Sequence, residues 1–388
     1  MTLLKRVKGG RIYSPRDEGV RDILIAGETI VKVAEQIVPP AGLDVETFDA
    51  SGLTVVPGFV DLHVHAIGGG GEAGPASRVP EITLSELTEA GITTLVGVLG
   101  TDNVSRHPET LLAKVKALTE EGITGYMYTG SYHLPSVTIT GSVKRDIALI
   151  EEVVGVKLAI SDHRASQVSC EELARLASEA RVGGMHGGKP GLVHVHVGRG
   201  AKALTPIFEV VERTDIPIGQ FLPTHVASTS RKLEQAIEFA KMGGCIDLTA
   251  HSIPSQREMG IGEIVGKILR SGVELGNVTM SSDARGSMPR FDEQGRLVGS
   301  AVCKASALLK TLRALIESGT VPLADALTLV TTNPAERLGI ADRKGRIAEG
   351  KDADLVLLDD ALDVKQVFAR GNRMVDAGKA VVTGRFEA

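Results

Sequence analysis

Paired cysteines, long apolar runs and a basic surplus are all missing from this 388-residue chain. Its three cysteines, Cys170, Cys245 and Cys303, are odd in number, far apart and outside any CxxC spacing. Neither a disulfide framework nor a cysteine-ligated zinc fits that pattern. Nowhere do about 18 uncharged apolar residues run together, so no segment reads as a membrane span. The first residues, MTLLKRVKGGRIYS, hold too short an apolar run for a secretory leader. The expectation is a cytoplasmic protein with no membrane partner. Lys and Arg number 43 against 48 Asp and Glu, a formal net charge of −5. Binding to a phosphate backbone needs a basic face, so no nucleic-acid partner is expected. No block of like charge offers itself as an interaction tail.

What the chain does have is an alternation. The first 55 or so residues read as short strands, with RDILIAGETIVKVAEQI broken at Ala26-Gly27-Glu28. The last 45 or so show the same short β-rich runs, DADLVLLD and then QVFARGNRMVDAGKAV, with Gly371-Asn372 as a hairpin signal. Neither end has a core of its own. We therefore expect both to pair into one small discontinuous β-domain, a β-sandwich made of residues 1–55 and 345–388. Residues 56–344 alternate β-rich runs with amphipathic stretches. Candidate strands lie at 55–65, 92–100, 124–130, 156–160, 192–197, 218–225, 245–249 and 278–283. SCEELARLASEAR opens with capping-box spacing at Ser169 and Glu172, and RKLEQAIEFAKMGG ends in glycines suited to a C-cap. Eight such alternations predict an α/β fold, a (β/α)8 TIM-type barrel.

A doubly wound sheet is the rival, and it usually brings a glycine fingerprint after its first strand. IGGGGEAGP (67–75) has no G-x-G-x-x-G leading into a helix. GGMHGGKP (183–190) comes near a phosphate-binding loop, but Pro190 stands where Ser or Thr would hold Mg2+. It reads as a tightly turned or mobile loop.

His63-Val64-His65 closes the first central strand. Residues two apart in a strand face the same way, so both imidazoles point to one side at the C-terminal mouth, where barrel active sites sit. A single strand histidine is more often a packed core residue; two at this spacing favour ligation. His196 ends LVHVHV, His225 ends QFLPTH and Asp283 ends VTMSSD. Four histidines and an aspartate at strand termini suit one or two borderline divalent ions such as zinc. His194 faces the same way but deeper, as a core or supporting residue. His107, His133, His163, His186 and His251 read as non-ligands. Lys157 opens VKLAI in apolar surroundings, which by itself suggests a snorkelling lysine. Burial would lower its pKa, and a neutral amine there could take up CO2 as a carbamate.

PGFVDLHVH, the later strand-end histidines, SSD and the C-terminal GRIAEGKDADLVLLD together resemble the metal-dependent amidohydrolase superfamily. Within it, HVHAIGGGGEAGP, TEAGITTLVGVLGTD, TGSYHLPS, ITGSV, GVKLAISDHR, GGKPG and SSDARGS resemble the isoaspartyl (β-aspartyl) dipeptidase family, from the first strand to the last. The resemblance implies two Zn2+ per subunit, bridged by a carboxylated Lys157 and a hydroxide. His63, His65 and Asp283 match the ligands of one ion, His196 and His225 those of the other. Asp283 would act as base and then acid, and Tyr132 would stabilise the oxyanion. Glu72 would bind the substrate's α-ammonium with Ser287 nearby. Thr101 and the Gly70 backbone would take the α-carboxylate, and Arg164 the carboxylate of the second residue. Without the resemblance, Glu72 and Arg164 read as a surface ion pair, and Ser287 and Thr101 as loop or cap residues.

The implied activity is hydrolysis of the isopeptide bond in L-isoaspartyl dipeptides by attack of the bridging hydroxide. The alternative is a related amidohydrolase acting on another dipeptide, an N-acyl amino acid or a cyclic amide. A non-catalytic scaffold is the third reading, and the presence of all six metal-site positions speaks against it. A homo-oligomer, an octamer, is also implied. One departure bears on the substrate. The family pattern T-H-V-N-R is here Thr224-His225-Val226-Ala227-Ser228, so Ser228 replaces an arginine that binds the terminal carboxylate, with Arg231 a candidate substitute. The polar, glycine-containing segment 284–300 is expected to be a mobile lid.

Overall fold

Short β-branched runs at the two ends of a chain need a partner face. The computed structural model describes residues 4–39, 41–250, 258–291 and 297–387, with side chains not described over 289–298. The N-terminal strands are β1 (Leu4–Tyr13), β2 (Asp17–Ala26), β3 (Thr29–Ala34), β4 (Val45–Asp49) and β5 (Thr54–Pro57). Eight parallel strands follow: β6 (Phe59–Val64), β7 (Ile92–Gly97), β8 (Thr124–Gly130), β9 (Val153–Ile160), β10 (Leu192–Val197), β11 (Phe221–Thr224), β12 (Ile246–Thr249) and β13 (Val278–Ser281). An antiparallel hairpin, β14 (Ser287–Phe291) and β15 (Leu297–Val302), occupies the segment expected as a lid, and its residues 292–296 lie outside the described residues. The chain closes with β16 (Leu355–Leu358), β17 (Val364–Ala369), β18 (Asn372–Asp376) and β19 (Lys379–Ala380).

The two ends do meet. They form one nine-stranded sheet in the order β19-β18-β17-β16-β5-β1-β2-β3, with β4 also on β1. The junction is β5 against β16, antiparallel, with Val55 opposite Leu357 and Val56 opposite Val356. One face buries Val7, Ile12, Ile23, Leu355 and Phe368, and Phe48 meets Phe368 edge to face at 5.0 Å. The β17–β18 turn sits one residue earlier than the Gly-Asn signal suggests. Arg370 and Gly371 take the two left-handed positions, φ 47° and 72°, and Asn372 already pairs with Ala369. Two consecutive positive φ angles are what a tight type I′ hairpin requires.

In the centre, β6 to β11 form a six-stranded parallel sheet, and β12 and β13 a second parallel pair. Every residue of β6, β7 and β9 is buried, as expected where helices cover the outer face of a parallel sheet and side chains fill the inner. The sheet curls until its first strand meets the last pair: Val64 bridges Ala284, and the Ala284 carbonyl accepts from the His65 amide at 2.8 Å. The result is a mixed α/β fold with a curled parallel sheet.

The helices are α1 (Leu84–Thr88), α2 (Pro108–Glu120), α3 (Val143–Leu149), α4 (Cys170–Gly187), α5 (Thr205–Arg213), α6 (Ser230–Lys241), α7 (Ile261–Arg270), α8 (Ala307–Glu317), α9 (Leu323–Thr328) and α10 (Thr332–Arg337). Ser169 and Glu172 form the expected capping box on α4. The glycines expected as a loop at 183–187 instead continue that helix. Neighbouring backbone leaves them no room for a side chain: a Cβ on Gly183 would stand 2.8 Å from the Lys144 carbonyl oxygen of α3, and one on Gly184 2.6 Å from that of Lys189. The turn comes only at Gly188, which caps the helix with φ 64°.

Lys344 ties the terminal sheet to the parallel strands. Its buried ammonium donates to Asp354 at 2.6 Å and to Thr124, the first residue of β8, at 2.8 Å, and pairs with Asp352 at 2.9 Å. Removing one member of a buried ion pair typically costs about 3–5 kcal/mol. Lys344→Met is expected to lose stability on that scale in urea unfolding. A loss under about 1 kcal/mol would mean the cluster is hydrated and weak.

Candidate active site and metal centre

Apart from Lys157, which lies in the middle of β9 rather than at its start, the candidate ligands sit at the C-terminal ends of the parallel strands or just beyond. His63 is the last residue but one of β6, with its side chain 1% exposed, and His65 follows the strand. His225 and Asp283 lie one and two residues past β11 and β13, and both take left-handed backbone, φ 61° and 55°. Such residues cost about 1–3 kcal/mol unless the surroundings hold them, and they cluster at functional sites. Here the turn swings each side chain toward His63. Asp283 Oδ1 lies 3.4 Å from His63 Nε2 and 3.3 Å from His65 Nε2. The His63 ring centre is 5.2 Å from that of His225, which is 4.6 Å from that of His196. Among the described residues, one group has ligand atoms all within 4.8 Å of one another: His63, His225 and Asp283.

His65, His196 and Lys157 surround that group without joining it so tightly. His196 holds two partners, Tyr132 Oη at 2.7 Å from Nδ1 and Asp162 Oδ2 at 3.0 Å from Nε2. Although burial alone would raise it, bonds from Arg164 and His196 hold the Asp162 carboxyl well below the usual range. Asp162 is therefore an acceptor, His196 carries its proton on Nε2, and the Nδ1 lone pair faces Tyr132. Carboxylates commonly fix metal-binding histidines in this way. Asp162 was missed in the sequence, although its place one residue before His163 and two before Arg164 offered a weak signal.

His194 is the supporting residue expected: fully buried, it bonds through Nε2 to His63 Nδ1 at 2.9 Å and stacks on Tyr128. Desolvation, reinforced by the Lys157 charge, keeps both His63 and His194 far below the usual imidazole range, so both are neutral. Burial likewise brings His196 down to about 4. His107, His163 and His186 are exposed, His133 is half-buried, and His251 lies outside the described residues.

Lys157 is not a snorkelling lysine. It is fully buried at 0% exposure, its Nζ makes no hydrogen bond, and desolvation brings its pKa down to about 7. His63 Nε2 and His65 Nδ1 are also buried without a hydrogen bond. Buried polar atoms are rarely left so in native proteins, and several converging nitrogens with a carboxylate call for a cation. Neutral imidazoles, a carboxylate and an amine that gives up its proton readily are the donor chemistry that a borderline divalent ion takes. The residues fit such a group.

The site opens into a cleft of about 500 Å³ lined by His65, Gly70, Glu72, Thr101, Tyr132, Asp162, Arg164, His196, His225, Ser228, Lys232, Asp283 and Ser287, among others. Three of the expected substrate residues converge on the fourth. Glu72 accepts from Thr101 Oγ1 at 2.9 Å, from Arg164 Nη1 at 3.2 Å and from Ser287 Oγ at 3.2 Å. Thr101 thus serves Glu72 rather than standing free. Arg164 is held from the other side by Asp162, Nε to Oδ1 at 2.9 Å and Nη2 to Oδ2 at 2.8 Å, and lies over the Tyr132 ring. Arg231, the candidate substitute at the Ser228 position, is exposed on α6 and does not line the cleft; its neighbour Lys232 does.

The amidohydrolase family matches residues 54–206 and 165–382. The structure superposes with a TM-score of 0.89 on beta-aspartyl dipeptidase from Fervidobacterium islandicum AW-1 in complex with a beta-Asp-Leu dipeptide, 42% identical over 97% of this chain and 98% of that one. The chain belongs to the amidohydrolase family. It is a hydrolytic enzyme, and its motif-level resemblance to isoaspartyl dipeptidases extends over the whole chain. Other amidohydrolases share less. D-hydantoinase from Thermus sp. superposes with a TM-score of 0.72 at 16% identity, over 98% of this chain and 97% of that one, a likeness of fold alone. Dihydroorotase of Streptococcus thermophilus is 25% identical over 94% of this chain and 92% of its own.

If Asp162 fixes the His196 tautomer, Asp162→Asn weakens divalent-ion binding by about 10- to 100-fold, the usual effect of losing such a support. Competition with a chelating dye measures it. Unchanged affinity would leave Asp162 as an anchor for Arg164 alone.

Proposed function

We propose that this amidohydrolase is a β-aspartyl dipeptidase, cleaving the isopeptide bond formed by an aspartyl side chain. The observation that carries the reading is the full-length likeness, at 42% identity, to a beta-aspartyl dipeptidase solved with beta-Asp-Leu. The cleft supports it, with the anionic Glu72 and the cationic Arg164 side by side at the mouth of the histidine cluster, as a zwitterionic dipeptide requires.

In this reading His63, His65, Asp283, His196, His225 and Lys157, the last as a carbamate, would hold two zinc ions. Bound there, the ions would supply a water activated at neutral pH and an electrophile for the amide carbonyl. The chain's own groups do the rest. Glu72, steadied by Thr101 and Ser287, takes the α-ammonium, while the backbone at Gly70 and Arg164 receive carboxylates. Asp283 accepts a proton as the carbonyl carbon is attacked and returns it to the leaving nitrogen. Burial keeps the Tyr132 hydroxyl far above the usual phenol range, so it stays protonated and can donate to the carbonyl oxygen as negative charge builds.

The same reading takes the parallel strands as a closed (β/α)8 barrel of residues 56–344, with 1–55 and 345–388 forming a small β-sandwich domain. It takes the protein as a cytoplasmic homo-oligomer, an octamer by family likeness. No helix among the described residues is long and apolar enough to cross a membrane.

The deciding measurement is kcat/KM of zinc-loaded protein on β-Asp-Leu beside α-Asp-Leu. Turnover of the β-linked peptide alone is expected. Failure on both, with two ions bound per chain, would transfer the centre to another amide, such as an N-acyl amino acid or a cyclic amide. Separately, Lys157→Ala should lose metal and activity together, with partial rescue by short carboxylates, and full activity in that variant would refute the carbamate bridge.

A further inference from the structure

Lys232 stands where a lysine is costly. It is the third residue of α6, inside the first turn, where the helix dipole disfavours a cation. It is also 4% exposed, and its side chain helps line the active-site cleft. Burial pulls its pKa down to about 8, with the nearby Arg199 charge acting in the same direction. Yet the ammonium has three donors, and its one hydrogen-bond partner among the described residues is the Val197 carbonyl at 3.0 Å. No carboxylate among the described residues pairs with it. Ser228 lines the same cleft, and its Oγ is buried without a partner.

Of the other cations that line the cleft, Arg199 is exposed and Arg164 is tied up on two sides. Arg164 already gives three of its N–H groups to Asp162 and Glu72. Arg164 can offer a substrate carboxylate only the donors that Asp162 and Glu72 leave free, so a second cation would share the task. At Lys232 the carboxylate would meet an ammonium with donors to spare, the first turn of α6 and an unpaired hydroxyl, all of which favour negative charge.

We propose that Lys232, together with Ser228, binds the free carboxylate of the residue that leaves, making this pair a determinant of specificity for dipeptides over longer or blocked chains. The proposal deepens the dipeptidase reading and rests on it. The competing account is structural: Lys232 as a strut that fastens the end of β10 to α6 through the Val197 carbonyl.

The test compares wild type, Lys232→Met and Lys232→Arg on β-Asp-Leu and on β-Asp-leucinamide, which lacks the carboxylate. Wild type is expected to favour the free acid. Lys232→Met should lose about 10- to 100-fold in kcat/KM on the acid, mostly through KM, with little change on the amide, and Lys232→Arg should restore part of the preference. A Lys232→Met protein that keeps the acid preference overturns the proposal, as does one that loses acid and amide equally, the mark of a strut. Calorimetric binding of the same two ligands to the same proteins is read in parallel. If wild type turns over neither substrate, the dipeptidase reading fails by itself. Lys232 is then judged on binding: a Lys232-dependent preference for the acid sustains the carboxylate site, and equal binding of acid and amide removes it.

Discussion

Asp61 and Asp247 are buried beneath the histidines, and between them they fasten the strand ends on which the site is built. Asp247, in the middle of β12, accepts from Thr224 of β11 at 2.6 Å, and from Thr279 and Ser281 of β13 at 2.8 and 2.6 Å. Asp61, in β6, accepts from the His63 amide and from the Ser282 amide just past β13, both at 3.1 Å. These bonds cross from the six-stranded sheet to the β12–β13 pair on both sides. They replace the continuous backbone ladder that unites the other strands. A carboxylate with three hydroxyl donors has most of its roughly four acceptor sites filled, and each donor left unpaired by its loss would cost about 1–3 kcal/mol. Burial raises both carboxyl pKa values, to about 7 for Asp61, so their placement carries a penalty that the donated bonds offset in part. Because Asp61 grips His63 itself and Ser282, the neighbour of Asp283, the same bonds set the spacing of the candidate ligands.

Above that layer the constraint is electrostatic. A lysine and several histidines are buried within one set of strand ends, and desolvation drives His63, His194, His196 and Lys157 toward their neutral forms. Neutral imidazoles and amines present lone pairs rather than charge. A pocket lined by lone pairs, with Asp283 at its edge, suits a cation. The geometry is therefore conditioned before any ion arrives: Asp162 orients His196, His194 props His63, and Thr249 bonds His225 at 2.7 Å. Supports of this kind hold metal-contacting residues to the tolerances that catalysis needs.

Much of this was legible in the sequence, because strand-end chemistry leaves a periodic mark. His63 and His65 share a face by alternation, and His196, His225 and Asp283 each end a hydrophobic run, so their convergence followed from placing the runs in parallel. The pairing of the chain ends followed from two sets of short strands that lacked a core. Other residues gave no comparable mark. Asp247 in CIDLT and Asp61 in VDLHVH look like isolated charges in apolar runs, and only the three-dimensional neighbours Thr224, Thr279 and Ser282 explain them. Asp61 had one readable trait: it lies two residues before His63, on the same face. The helix through Gly183 and Gly184 was misread because glycine argues locally for a turn, whereas the reason for it here is tertiary, the close approach of α3 at Gly183 and of the 189–191 backbone at Gly184. The Gly-Asn turn was misplaced by one residue because either Arg370-Gly371 or Gly371-Asn372 can supply a glycine at positive φ, and strand register decides between them.

Lys232 shows the same limit from the functional side. In RKLEQAIEFAK it is one of several charged residues on an amphipathic helix, and Arg231 beside it is the more obvious candidate for a carboxylate. Helical geometry separates them: neighbours are about 100° apart around the axis, so two adjacent residues need not share a face. Leu233, Ala236 and Ala240 define the buried side of α6, and Lys232 falls with them while Arg231 does not. An inward lysine among such residues would ordinarily be excluded by its desolvation cost. It is tolerated because the end of β10 offers the Val197 carbonyl and the cleft keeps the remaining donors near water. The position that makes Lys232 expensive for the fold is also what leaves its charge available to a ligand.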